Sequence, residues 1–187
     1  MTKKGSIKGG VLKSRLAFLA QHGGQGAVDR VLEELPDDDR ALLTSEIDSA
    51  AWYSFATGSR LDEAIEAELG GGDALFKEMG AQSARDNLSP AQKAFVRERD
   101  PHALLKGAAS IYRLYYDTGR RTFERLGPRK VALRTYESET FSRADCLTVV
   151  GWHEQVIAMC GGTNVRVTEI ACRAQGDEIC AYVCEWD

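Results

Sequence analysis

No segment of this sequence approaches the roughly 20 consecutive apolar residues of a membrane-spanning helix, so no membrane partner is expected. A basic excess is also missing. The 24 Lys and Arg face 28 Asp and Glu, and the resulting net charge of −4 implies no broad nucleic-acid surface. There is no Gly-x-Ser-x-Gly elbow, no Gly-x4-Gly-Lys-Ser/Thr phosphate loop and no His-Glu-x-x-His pair. Nothing provides for a nicotinamide or flavin, so the chain reads as a binding protein and not as an enzyme. The basic opening Met1-Thr-Lys-Lys-Gly-Ser-Ile-Lys8 leads into no apolar run of signal-peptide length, and the expected compartment is the cytoplasm.

What is present is an ordinary globular balance, 43% apolar and 28% charged over 187 residues, enough for one domain with a core. A single domain over 1–187 is expected, helix-rich over 1–127 and strand-helix-hairpin over 128–187. Val11, Leu12, Leu16 and Leu19 have helical spacing that Gly23-Gly24 ends. A second short helix runs from Val28 to Leu35, before Pro36. The acids of Pro36-Asp-Asp-Asp-Arg40 read as a solvated helix start. Helices are then expected over Ile47–Leu69, Asp73–Asn87, from Ser89-Pro90, and over Pro101–Phe123. The last carries Tyr112, Tyr115 and Tyr116 on one face.

After Gly127-Pro128 the period changes. Lys130–Ser138 alternates as a strand does, Phe141–Cys160 returns to helical spacing, and Asn164–Cys172 with Glu178–Trp186 forms a hairpin. Helices followed by strand, helix, strand, strand make an α+β fold, a helical layer on a small, mainly antiparallel sheet.

All five cysteines, Cys146, Cys160, Cys172, Cys180 and Cys184, come after residue 145. An odd count with no secretion signal argues against a disulfide framework. Cys172 and Cys180 stand symmetrically about Gly176 and so face each other across the hairpin. Two thiols so placed share a metal, form a disulfide or pack as small apolar groups. Cys184 points to the face of Cys180 but lies roughly 13 Å along the strand, which makes it a buried free thiol, as Cys160 also reads.

The run Thr168-Glu-x-x-Cys172-x-x-x-Gly-Asp-x-x-Cys180-x-Tyr-x, with Cys184 where a Val is usual, resembles the C-terminal signature of the 4-vinyl reductase-type small-molecule-binding domain. That family serves phenol-responsive bacterial transcription activators as their sensor. Its fold is shared with haem nitric-oxide-binding domains and with Bet3-type vesicle-tethering subunits. The opening Lys8-Gly-Gly-Val-Leu12 and the helical first half resemble a myxobacterial paralogous group.

The resemblance implies a structural zinc held by Cys146 from the helix and by Glu169, Cys172 and Cys180 from the hairpin. Four such ligands close a tetrahedral site and leave no position for reacting water. On a regular strand residues 169 and 172 point to opposite faces, so a bulge near Ile170-Ala171 is expected. Haem is disfavoured. Tyr136-Glu-Ser-Glu-Thr140 keeps the Tyr and Ser of the family's propionate clamp but has Thr where a positive fork is needed. His102 lies in the neighbourhood of the family's iron ligand and reads as an ordinary helix-start histidine.

The implied function is a stand-alone sensor or regulatory module for a small apolar or aromatic molecule, lying between the 101–123 helix and the sheet. Tyr112, Tyr116, Trp152 and Phe141 are the expected lining. Output would pass through a homodimer or a protein partner, since neither the ATPase nor the DNA-binding segment of the activators is present. Two other readings stand beside it: a Bet3-like interaction module without a ligand, and an enzyme of tetrapyrrole vinyl reduction.

Overall fold

The computed structural model describes residues 5–187, apart from the side chains at positions 91, 108 and 109. The basic opening over residues 1–4 lies outside them. Among the described residues no helix is long and apolar enough to cross a membrane.

A short strand β1 (Ser6–Lys8) leads into helix α1 (Gly9–Glu34), which changes direction at Gly24, where φ is 73°. Only glycine enters that backbone region freely, so the two helices expected on either side of Gly23-Gly24 meet there at a non-helical Gly24. Helix α2 (Asp37–Thr44) starts at the acidic run as expected. Its acids are not all solvated: Asp39 is buried, accepting from Thr57 Oγ1 at 2.7 Å and from Arg60 Nε at 2.5 Å.

The helix expected over 47–69 begins only at Phe55. Before it, β2 (Trp52–Ser54) pairs antiparallel with β1, and helix α3 (Phe55–Leu69) follows. Helix α4 (Asp73–Asn87) is as expected. Helix α5 (Pro90–Glu98) is held by a reciprocal cap, Ser89 Oγ accepting from the Gln92 N–H and Gln92 Oε1 from the Ser89 N–H.

The long helix expected over 101–123 is instead three elements: α6 (Pro101–Lys106), α7 (Ala108–Tyr115) and strand β3 (Arg120–Gly127). Tyr116 turns extended, and Gly119 has φ 79° with its Cα so near Tyr136 that a Cβ would stand 2.7 Å from the Tyr136 carbonyl oxygen. The Arg, Glu and Leu of 120–127 favour a helix locally; pairing with the next strand overrides that weak preference.

Strand β4 (Lys130–Tyr136), helix α8 (Arg143–Met159), strand β5 (Arg166–Ala171) and strand β6 (Cys180–Glu185) complete the chain. The sheet order is β3-β4-β6-β5, with every neighbouring pair antiparallel. The α+β class is therefore as the sequence implies. Two apolar clusters meet at α8. Val150, Val156 and Ile157 pack with sheet residues Val131, Leu133, Tyr182 and Cys184, while Leu147 joins Leu12, Phe18, Leu61 and Met79 of the helical part.

Helices α4 and α8 press together through glycine on both sides. A Cβ on Gly80 would lie 2.0 Å from the Thr148 carbonyl oxygen, and one on Gly151 would lie 1.9 Å from that of Lys77. This near contact fixes the depth at which α8 sits, and with it both features described next.

Candidate functional sites: a thiol cluster and an aromatic cavity

Cys146, Cys172 and Cys180 are buried with their sulfurs all within 4.8 Å of one another. Two local features of the hairpin bring this about. The β5–β6 register slips between Glu169 and Ala171, the bulge expected near Ile170-Ala171. Beyond it Ala171 pairs with Ala181, and Cys172, just past the strand end, brings its sulfur to that of Cys180. A 3₁₀ turn over Arg173–Gln175 then closes on Gly176 at φ 102°, and the Arg173 N–H donates to Cys180 Sγ at 3.4 Å. Asp177 locks the turn by accepting from the Cys172 N–H at 2.7 Å.

The electrostatics suit a cation. The hydrogen bond with Cys146 pulls the Cys180 thiol down to about 7, against the cost of burial. Cys146 is raised, first by that same bond and then by burial, so it keeps its proton while no cation is near. Burial also holds the Cys172 thiol up, with the Glu169 carboxylate adding to the effect. Glu169 itself accepts from Arg143 Nη1 through Oε2 at 2.6 Å, while Arg143 Nη2 reaches Asp73 Oδ2 at 2.7 Å. Its other oxygen, Oε1, is buried with no hydrogen-bond partner among the described residues, but Glu169 does not join the three sulfurs, whose 4.8 Å group holds the cysteines alone. A buried carboxylate oxygen without a donor is costly unless a cation completes it. Cys160 and Cys184 are buried elsewhere, and burial raises their thiols to about 11 and about 12.

The second feature is a cavity of about 400 Å³ among α1, α4, α6, α7 and α8, closed on one side by Arg121 of β3. It is thus enclosed mainly by helices and not by a helix against the sheet. Tyr112, Tyr116 and Trp152 line it as expected, with Tyr115 and Val149. Tyr112 and Tyr116 stack with centroids 4.9 Å apart. Phe141 does not belong: its ring lies under the Arg173 guanidinium at 4.8 Å, on the hairpin side of the molecule.

The wall carries polar groups that sequence reasoning missed. His153 is buried, with Nδ1 2.7 Å from the Val149 carbonyl oxygen. A carbonyl only accepts, so Nδ1 carries the proton. Burial, helped by the Arg121 charge, lowers this imidazole to about 3, so it stays neutral and Nε2 holds a free lone pair. No hydrogen bond reaches Nε2 among the described residues, yet it is not sealed in protein. Within the wall Arg15 Nε donates to Asp62 at 2.7 Å, and the Tyr116 hydroxyl donates to Asp145 at 2.9 Å. Burial raises the Asp145 carboxyl to about 6. Arg121 escaped notice because its segment reads as helix. The glycine at 119 before alternating Arg121 and Phe123 is the signal that points to a strand there.

No protein-family model matches the chain, and no curated protein matches it. Among solved structures it is similar to an H-NOX protein from S. oneidensis in the Fe(II)NO ligation state, at 16% identity and TM-score 0.73, over 96% of this chain and 99% of that one. It is similar to the unliganded Fe(II) A71G H-NOX protein from K. algicida, at 13% identity and TM-score 0.73, over 96% of each. It also resembles an H-NOX structure from work on haem distortion, at 12% identity and TM-score 0.73, over 96% of this chain and 95% of that one. At such identities the likeness establishes the fold. It agrees with the relation to haem nitric-oxide-binding domains; the 4-vinyl reductase signature has no matching family.

These neighbours overturn the reading that disfavours haem: they are H-NOX proteins in Fe(II) and Fe(II)NO states, and one comes from work on haem distortion. That reading considered only His102 and Thr140. Here His102 Nε2 is engaged by the Pro128 carbonyl oxygen at 2.6 Å and its ring meets Trp186, while Thr140 is tied to Ser138 at 3.0 Å. The donor set of the cavity fits the group through different residues. Tyrosine and tryptophan rings provide flat walls, and His153 presents an imidazole lone pair with its other nitrogen held by a carbonyl, as metal-ligating histidines commonly are.

Proposed function

We propose that this chain is a ligand-binding sensor domain, binding without turnover, whose ligand is a flat, largely apolar small molecule held in the helical cavity. The observation that carries the reading is the free Nε2 lone pair of neutral His153 bordering an aromatic cavity of about 400 Å³. That volume is in the range of cavities that enclose small molecules, roughly 300–1,000 Å³. A phenol would donate its hydroxyl to Nε2. A haem would be held there through its iron, which supplies a position for a diatomic gas.

The thiol cluster supports the module in another way. Cys146, Cys172 and Cys180 offer three converging sulfurs, and Glu169, which stands outside that group, would turn its unpaired oxygen in as the fourth donor of a closed structural Zn²⁺. The ion would tie the β5–β6 hairpin to α8, the helix that also carries Trp152 and His153. Ligand-induced movement of α8 would then pass to the sheet and to a second copy or a partner protein.

Titration with haemin, 2-naphthol and phenol, followed by absorbance and thermal shift, tests the reading. Binding that raises Tm with at least one of these, and that Val149→Trp abolishes by filling the cavity, is the expected result. No shift with any of the three would overturn it.

A further inference from the structure

The charge on the cavity wall is of one sign. Lys13, Arg15 and Arg121 line it, and no Asp or Glu does among the described residues. Two of these cations are accounted for without a ligand. Lys13 is exposed, and Arg15 is paired with Asp62 at 2.7 Å. Arg121 is different. Its Nε donates to Thr135 Oγ1 at 2.9 Å, which fixes the side chain, and its guanidinium lies 4.8 Å from the Tyr112 ring centroid and 5.8 Å from that of Tyr182. No carboxylate forms an ion pair with it among the described residues, and its two terminal nitrogens have no hydrogen-bond partner there. Neither nitrogen is sealed inside protein, so both border open space.

A guanidinium immobilised through Nε presents its outer pair of N–H groups as a fork, the geometry that meets a carboxylate with two parallel hydrogen bonds. Asp145, a carboxyl that the Arg121 charge reaches, is occupied by the Tyr116 hydroxyl. We infer that Arg121 is the anion subsite of the cavity, and that the ligand is an aromatic or polycyclic carboxylate whose flat body lies against the tyrosines. This deepens the sensor reading and rests on it. The same chemistry covers a simple aryl acid and a porphyrin bearing carboxylate side chains.

The test compares each acid with a neutral twin: 2-naphthoate with 2-naphthamide, and haemin with haemin dimethyl ester. Affinities are measured on the full chain by calorimetry or absorbance. At least one acid is expected to bind tenfold or more tightly than its twin. Arg121→Gln should remove that preference, and Arg121→Lys should retain part of it. Equal affinity for acid and twin in the wild type overturns the anion subsite and leaves the cavity as ligand site standing. That comparison needs no variant and holds even if Arg121→Gln misfolds. A preference for acid that persists in a folded Arg121→Gln removes Arg121 from the role. Absence of binding by all four compounds overturns the cavity reading and this one together.

Discussion

Cys146 Sγ lies 3.8 Å from Cys180 Sγ, although one thiol hangs from α8 and the other opens β6, 34 residues later. Cys172 completes the group just beyond β5, while Glu169 on β5 stands outside it with Oε1 unpartnered. Protein expressed without chelator should hold one zinc per chain by elemental analysis. Its removal should lower Tm by about 10 °C, since a tightly bound ion contributes about 4 kcal/mol and each kcal/mol moves Tm by a few degrees in a chain of this size. Cys172→Ser should lose most of the metal, and Glu169→Gln part of it. Metal content unchanged in Cys172→Ser would take that sulfur out of the site.

His153 gives the protein an acid-side weakness. Its imidazole is lowered by burial to about 3 in the folded chain, against about 6.5 when unfolded. The unfolded state therefore binds the proton first, and stability is lost as pH falls from about 6.5 towards 3. Between pH 6.5 and 4 the loss is on the order of 3 kcal/mol, at about 1.4 kcal/mol per pH unit. Asp145 works the other way. Burial raises its carboxyl to about 6, so its share favours the fold at low pH and is lost as pH rises to 6. The measurement is thus a difference: urea unfolding of wild type and His153→Gln at pH 4.5 and 7. The variant should show a flatter, or reversed, dependence on pH. Parallel curves would mean that His153 is not held neutral.

The hairpin was legible because its chemistry is local. The position of Gly176, the Glu169–Cys172 spacing and the need for a bulge all follow from the period of a strand, and the register slip stands at Glu169/Ala171. The cavity was legible in its aromatic lining, in the tyrosines that a helical period places on one face and in Trp152. Arg121 and His153 were not, for different reasons. The strand holding Arg121 exists because β4 offers it a partner, a long-range pairing that residues 120–127 do not encode by themselves. His153 sits beside Trp152 on a helix buried on nearly every face, so no polar side marks which residues meet the cavity. Phe141 was misplaced because it precedes α8, where helical spacing no longer tells direction.

The contact between α4 and α8 should be intolerant of a single methyl group. At Gly80 and Gly151 an added Cβ would meet backbone oxygens at 2.0 and 1.9 Å, and backbone cannot swing aside as a side chain end can. Gly151→Ala should cost about 3 kcal/mol or more, the upper range for overpacking. Gly26→Ala serves as the control, because its Cβ would meet only the far end of Arg30 at 3.4 Å. Chemical denaturation should separate the two variants by several kcal/mol. Because α8 carries Cys146 and His153, Gly151→Ala should also weaken metal and ligand binding, whereas Gly26→Ala should leave both alone.

The Arg15–Asp62 pair is almost wholly enclosed, with each side chain 5% exposed, and it sits against the cavity wall. Arg15 also donates to Thr148 Oγ1 at 3.1 Å, linking α1 to α8. Breaking one partner of such a pair leaves a buried charge, which costs about 3–5 kcal/mol, while replacing both by apolar groups of similar volume is often nearly neutral. Arg15→Met should therefore be severely destabilised at pH 7. Arg15→Met combined with Asp62→Leu should recover most of the loss. The single variant should also gain stability on acidification. Burial already raises the Asp62 carboxyl with Arg15 beside it, and loss of the cation raises it further, so the folded state takes up a proton before the unfolded one does and the penalty fades as pH falls to about 4. Denaturant midpoints for the three proteins at pH 4.5 and 7 would check both points. A double variant as weak as Arg15→Met, with no gain at the lower pH, would place the cost in lost packing and not in the orphaned carboxylate.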